Sequence, residues 1–166
     1  DICPSCGSIY IKFFFSFSEK VEELAKAMFP SARIARLDRD TTSRKGSAEQ
    51  ILESFRSGNI DILIGTQMVA KGHDIPNVTA IGVISADTVL HMPDFRATEQ
   101  TFSLLTQVAG RAGRGNLKGK VVVQTYSANE PAIIDAAKQD YIDFATRELE
   151  ERLALTNPPF SSLFKI

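Results

Sequence analysis

The chain has few of the groups from which self-contained metal and redox sites are made. It holds 2 Cys, Cys3 and Cys6, and 2 His, His73 and His91, far away in sequence. A structural zinc site takes four ligands, so the chain carries only part of one. No apolar run approaches the ~20 residues of a membrane span, and no basic stretch followed by an apolar core and a small-residue cleavage site opens the sequence. These absences predict a cytoplasmic protein with no membrane partner. With only 10 Gly and 7 Pro in 166 residues, disordered and fibrous classes are excluded. A formal net charge of −1 excludes a surface that attracts nucleic acid everywhere, but not a local patch that does.

What is present suits one globular domain. Hydrophobic residues make up 43% and charged residues 23% of the chain, and a domain of this length buries roughly 70% of its unfolded surface. Charge is unevenly placed. Gln107 to Lys120 has four cations and no acid, whereas Asn129 to Glu151 has seven acids against two bases. A basic stretch beside an acidic helix fits a phosphate-handling surface on a neutral domain, and equally fits solvated surface charge.

Cys3-Pro-Ser-Cys6-Gly7 reads as a zinc knuckle with two ligands; a redox pair and two inert thiols are the alternatives. Elements then alternate. Ile9 to Phe15 is β-branched and aromatic, which predicts a strand. Ser18 to Phe29 places Val21, Leu24, Ala25 and Met28 at helical spacing, and Pro30 stops it. Arg33 to Leu37 predicts a second strand. Ser47-Ala-Glu-Gln50 reads as a capping box opening a helix with Ile51, Leu52 and Phe55 on one face and Gly58 as its stop. Ile60 to Ile64 and Val78 to Ile84 are apolar runs without helical period, as in strands buried on both faces. A helix over about Arg96 to Ala112 and a strand over Lys120 to Thr125 follow. Asn129 as cap and Pro131 in the first turn predict one long helix carrying Ile134, Ala137, Tyr141 and Phe144. This alternation predicts an α/β fold with a mainly parallel sheet covered by helices on both faces. Asn157-Pro-Pro-Phe160 reads as a turn into a following segment.

Two loops carry more chemistry than a connection needs. Gly65 to Asn77 packs small, hydroxyl and charged residues after a strand, in the position where open α/β sheets bind ligands; Gly65, Gly72 and Pro76 alone could also serve a plain turn. In Gln107 to Gly115, Arg111 and Arg114 are three positions apart, so a helix would project both from one face, with Gly110 and Gly113 removing bulk between them. Planar, permanently charged guanidiniums hold phosphate oxygens bidentately. Arginines stabilised by a helix end and an RGG-like RNA-binding tract are the alternatives.

Thr66, Gly72 and Asp74 resemble the fifth motif of superfamily 2 helicases, and Gln107, Gly110, Arg111 and Arg114 resemble the sixth. Asp61-Ile-Leu-Ile-Gly-Thr-Gln-Met-Val-Ala-Lys-Gly-His-Asp74, Asp87 and Pro93-Asp94-Phe95-Arg96-Ala-Thr-Glu99 are similar, more closely, to the replication-restart branch of that superfamily. The resemblance implies a RecA-like lobe over residues 9–156, preceded by the end of a zinc-binding insertion (1–8) and followed by the start of a further segment (157–166). Arg114, with Arg111 beside it, would be an arginine finger reaching ATP and Mg bound on the N-terminal helicase lobe, and Gln107 would help position it. Gly72, Asp74 and Gly110 would meet the nucleotide, and Thr66, with Gln67 and Lys71, the DNA backbone. Cys3 and Cys6 would complete a two-zinc insertion. Single-stranded and forked DNA, primosome proteins and single-strand binding protein are the implied partners. One departure is visible: Phe15-Ser-Phe17-Ser18-Glu19 stands where the family shows Gly-x-Gly-Thr-Glu, leaving less room for a strand to approach. The chain has no Gly-x-x-x-x-Gly-Lys-Ser/Thr and no Asp-Glu-x-His, so it holds no complete ATPase. A non-catalytic interaction module with a zinc knuckle, and a redox enzyme using Cys3 and Cys6, are the competing readings.

Overall fold

The computed structural model describes residues 17–38, 41–42, 46–66, 78–113 and 119–163. The expected strand from Ile9 to Phe15 lies outside them. The chain divides into two compact units, Asp1–Lys71 and Gly72–Ile166.

In the first unit, α1 (Phe17–Met28), β1 (Ile34–Leu37), α2 (Ser47–Arg56) and β2 (Ile62–Gly65) follow one another. β1 and β2 run parallel, with Ile34 opposite Ile62 and Leu37 opposite Gly65. Parallel neighbours need a crossover, which α2 provides. Leu37 and Leu52, each 1% exposed, and Ile64 are buried. The expected capping box differs: α2 is preceded by Gly46 at the cap position, with no side-chain cap bond, and Ser47 already lies inside the helix. The apolar stripe of α1 is likewise only part-covered. Leu24 and Met28 are exposed, while the residue that α1 buries is Ser18, whose hydroxyl donates to Asp38 at 2.7 Å.

The second unit contains β3 (Ala80–Val83), α3 (Asp87–Leu90), α4 (Ala97–Ala109), β4 (Lys120–Val123), α5 (Pro131–Lys138) and α6 (Tyr141–Ala154). β3 and β4 are parallel, Ala80 opposite Lys120 and Val83 opposite Val123. Val83 and Val123 pack on a core of Leu90, Phe102, Leu105, Ala132, Ile133, Ala136 and Phe144. α4 buries Ala97, Thr101, Phe102, Leu105 and Val108, a helical period. Two-face burial of β3 is not found: Ala80 and Gly82 are exposed while Ile81 and Val83 are half-buried, an alternation of one covered and one open face.

The single long helix expected after Asn129 is two helices. Glu130, not Asn129, occupies the cap of α5, and Gln139 (φ 58°, ψ 33°) ends it in a left-handed turn. Asp140 then caps α6 by accepting the Asp143 N–H at 3.1 Å. Among the described residues no helix is long and apolar enough to cross a membrane.

Arginine–aspartate pairs fasten both units. Arg33 grips Asp61 through its backbone N–H (2.8 Å), Nε (2.9 Å) and Nη2 (2.6 Å). This hydrogen bonding lowers the Asp61 carboxyl to about 2, and Arg96 lowers Asp94 to about 2 in the same way. A depressed folded-state value stabilises the fold above the unfolded value of about 4, and that contribution is lost as pH falls through about 2. We expect the urea midpoint to drop between pH 5 and pH 2.5, modestly because both pairs face solvent. The Asp61→Asn, Asp94→Asn double variant should show a shallower drop; an unchanged one would count against these pairs as its source.

Candidate functional site

The C-terminal end of α4 carries Gln107, with Gly110 and Arg111 directly after it. Its last turn tightens through bonds from the N–H groups of Arg111 to Val108 O (3.0 Å) and Ala112 to Ala109 O (3.3 Å). Gly113 then takes φ +76°, a conformation that a side chain resists, and its N–H donates to Val78 O at 3.1 Å. One expectation changes here: the helix stops at Ala109 rather than Ala112, so Arg111 already lies beyond its last helical residue. Through its bond to Val78, Gly113 docks just ahead of β3, and the Lys120 N–H that opens β4 donates to Thr79 O at 2.9 Å.

Gln107 is exposed, Gly110 follows the last helical residue and Arg111 is half-buried. These lie together on the final turns of α4. Among the described residues a Cβ on Gly110 would meet Thr106 O at 3.5 Å and Gln107 O at 3.6 Å, ordinary contacts, so none of them requires glycine there. Thr66 is exposed just past the carboxyl end of β2, in the other unit. Gln67, Lys71, Gly72, Asp74, Arg114, Cys3 and Cys6 lie outside the described residues. Among the described residues no group of three or more His, Cys, Asp or Glu could hold a metal.

Two sets of contacts were not foreseen, although Asp87 and Phe95 stand among the residues that carry the resemblance. The first is made by Asp87, on a helix too short to show a period. Its carboxylate accepts the Thr125 hydroxyl at 2.9 Å and the Tyr126 N–H at 3.1 and 3.2 Å, joining the segments that follow β3 and β4. Burial pushes this carboxyl up, but the Tyr126 N–H and the Thr125 and Ser127 hydroxyls more than offset it and hold it below the usual carboxylate range. The second is the packing around Phe95. The Arg96 and Arg152 guanidinium carbons stand 5.3 and 5.1 Å from its ring centroid. Arg152 also bonds Glu148 at 2.8 Å and Glu99 at 2.7 Å, so the Pro93 to Glu99 segment holds α6 against the start of α4. The signal was available in Phe95-Arg96 but carried no indication of its distant partner.

This arrangement has relatives. Residues 10–116 match the family model "Helicase conserved C-terminal domain". The replication restart protein PriA of Bacillus subtilis (strain 168) is 51% identical over 158 residues, which is 95% of this chain and 20% of that protein. PriA of Synechocystis sp. is 44% identical over 98% of this chain and 20% of its own length, and PriA of Treponema pallidum 45% identical over 98% and 25%. The chain thus spans about a fifth to a quarter of the length of these relatives. Among solved structures, the C-terminal domain of the DEAD-box protein Dbp5 superposes with TM-score 0.50 at 20% identity, covering 82% of this chain and 77% of that one. That likeness gives the fold, a RecA-like α/β lobe with parallel strands, and the two parallel ladders are consistent with it. Since the family match takes in well over half of the sequence, the chain belongs to the helicase conserved C-terminal domain family.

Proposed function

We propose that this chain is the second motor lobe of an ATP-dependent DNA helicase that restarts replication at stalled forks. In this reading the lobe presents Arg111 and Arg114, positioned by Gln107, to ATP and Mg cradled on the N-terminal lobe. The observation that carries it is the end of α4: cationic Arg111 at a turn of small residues, Gly110, Ala112 and Gly113, where bulk would keep a nucleotide away. Gly110 fits the same picture, because its lack of a side chain answers no need among the described residues. Gly72 and Asp74 would contact the nucleotide, and Thr66, Gln67 and Lys71 the backbone of single-stranded or forked DNA. Closure on ATP and reopening after hydrolysis would step the two lobes along a strand. Cys3 and Cys6 would hold zinc together with cysteines of the longer protein. Primosome proteins and single-strand binding protein are the proposed partners, in the bacterial cytoplasm.

Because the chain lacks a phosphate cradle and a magnesium-binding acidic box, the purified 166 residues should show no ATP hydrolysis. Phosphate release in a coupled assay, at a rate above that of the Arg114→Ala chain, would overturn the two-lobe reading.

A further inference from the structure

Gly113 and Gly119 bracket five residues that begin with Arg114. The backbones of the two glycines are pressed together. A Cβ built on Gly119 would lie 2.1 Å from Gly113 N, 2.3 Å from the Ala112 carbonyl carbon and 2.7 Å from Ala112 Cβ. The nearest two of these are backbone atoms, which cannot swing aside as a side chain would. On either side of this contact the chain is fixed to consecutive carbonyls of the segment that enters β3. The Gly113 N–H donates to Val78 O at 3.1 Å and the Lys120 N–H to Thr79 O at 2.9 Å. Gly113 needs glycine for its φ of +76°, and Gly119 needs it for space.

We propose that Gly119 is a positioning residue for the arginine turn: its bare backbone closes a neck against Ala112 and Gly113, and that neck fixes the Arg111 to Gly113 turn, to which Arg114 is joined in sequence. The proposal rests on the reading of those arginines as phosphate-facing. A methyl group at 119 forces Ala112–Gly113 to move, and both arginines are directly bonded to that dipeptide. Displacement of an arginine by about 1 Å is enough to cost a large part of the rate while ground-state nucleotide binding, made mostly elsewhere, is spared. The chemistry of the loop is unchanged by the substitution, since no charge, donor or acceptor is removed.

The test is a double-mutant cycle in the full-length protein, with DNA-stimulated ATP hydrolysis measured at a temperature where every variant is folded by circular dichroism. Gly119→Ala should lower kcat by tenfold to a hundredfold with KM for ATP within about threefold of the parent. In an Arg111→Ala, Arg114→Ala background the same substitution should change kcat less than twofold, because the groups through which it acts are gone. A parental kcat for Gly119→Ala, or an equal loss in both backgrounds, overturns the neck. If the arginine double variant itself keeps the parental kcat, the reading of the arginines fails instead, and the two failures are told apart. Should Gly119→Ala prove insoluble, Gly113→Ala is the second lever, since a methyl group resists the φ of +76° that the neck requires. It should show the same background-dependent loss, and a loss that persists without the arginines overturns the proposal.

Discussion

Phe144→Ala should lower the unfolding free energy of the second unit by about 3–5 kcal/mol. Phe144 is 6% and Phe102 5% exposed, and their rings stack with centroids 4.0 Å apart and planes inclined by 4°. Truncation removes the transfer free energy of the ring and leaves a cavity that Leu90, Leu105 and Ile133, already fixed by their own helices, fill only in part. The loss of the aromatic pair adds roughly 0.5–1.5 kcal/mol to the effect of area alone. Chemical denaturation of the purified chain followed by far-ultraviolet circular dichroism measures it. Tyr126→Ala is the internal control: that ring is 96% exposed, and its removal should stay within about 0.5 kcal/mol. A Phe144→Ala loss below about 1 kcal/mol would mean that the stacked pair does not hold α6 to the core.

That pair also illustrates what the sequence made legible. Phe144 was readable as an inward residue because helical spacing finds an apolar face, and α4 was readable for the same reason. Phase was harder. Ile134 and Ala137 were expected inside, yet α5 buries Ala132, Ile133, Asp135 and Ala136. The cause is the break at Gln139, which takes a left-handed conformation without glycine or proline to announce it. Once the helix is divided, α6 starts with its own phase, and Tyr141 is left 65% exposed. The cap at Asp140, three residues before Asp143, was the one local mark of this restart.

Glycines were legible as punctuation and not by cause. Gly58, Gly110, Gly113 and Gly119 look alike in the sequence. Only the backbone separates them: Gly58 and Gly113 take positive φ, Gly119 has backbone atoms in its side-chain space, and Gly110 has neither constraint. The same holds for the sixth-motif arginines. Their order and spacing carried the resemblance, but the helix that the spacing assumed ends at Ala109, before Arg111. Spacing of three implies a shared face only while the helix continues, and here it does not.

In the full-length protein, Arg114→Ala should reduce kcat for DNA-stimulated ATP hydrolysis by ~10³-fold or more, while KM for ATP moves by no more than about threefold. A thousandfold loss corresponds to about 4 kcal/mol of transition-state stabilisation. The asymmetry follows from the role. An arginine brought by the second lobe meets charge that accumulates on the γ-phosphoryl group during transfer, so it binds the transition state better than the ground state. In the proposed two-lobe reading ATP itself would be held by a phosphate cradle on the other lobe, which the substitution leaves intact. Arg114→Lys should recover little of the rate, because an ammonium supplies a point charge where a planar fork spans two oxygens. Steady-state kinetics at saturating DNA separate the outcomes. Equal losses in kcat/KM through KM alone would make Arg114 a ground-state binding residue and remove the finger role. The opposite split, with kcat carrying the loss, ties the chemistry to a turn whose geometry is set by Gly113 and its neighbours on the second lobe.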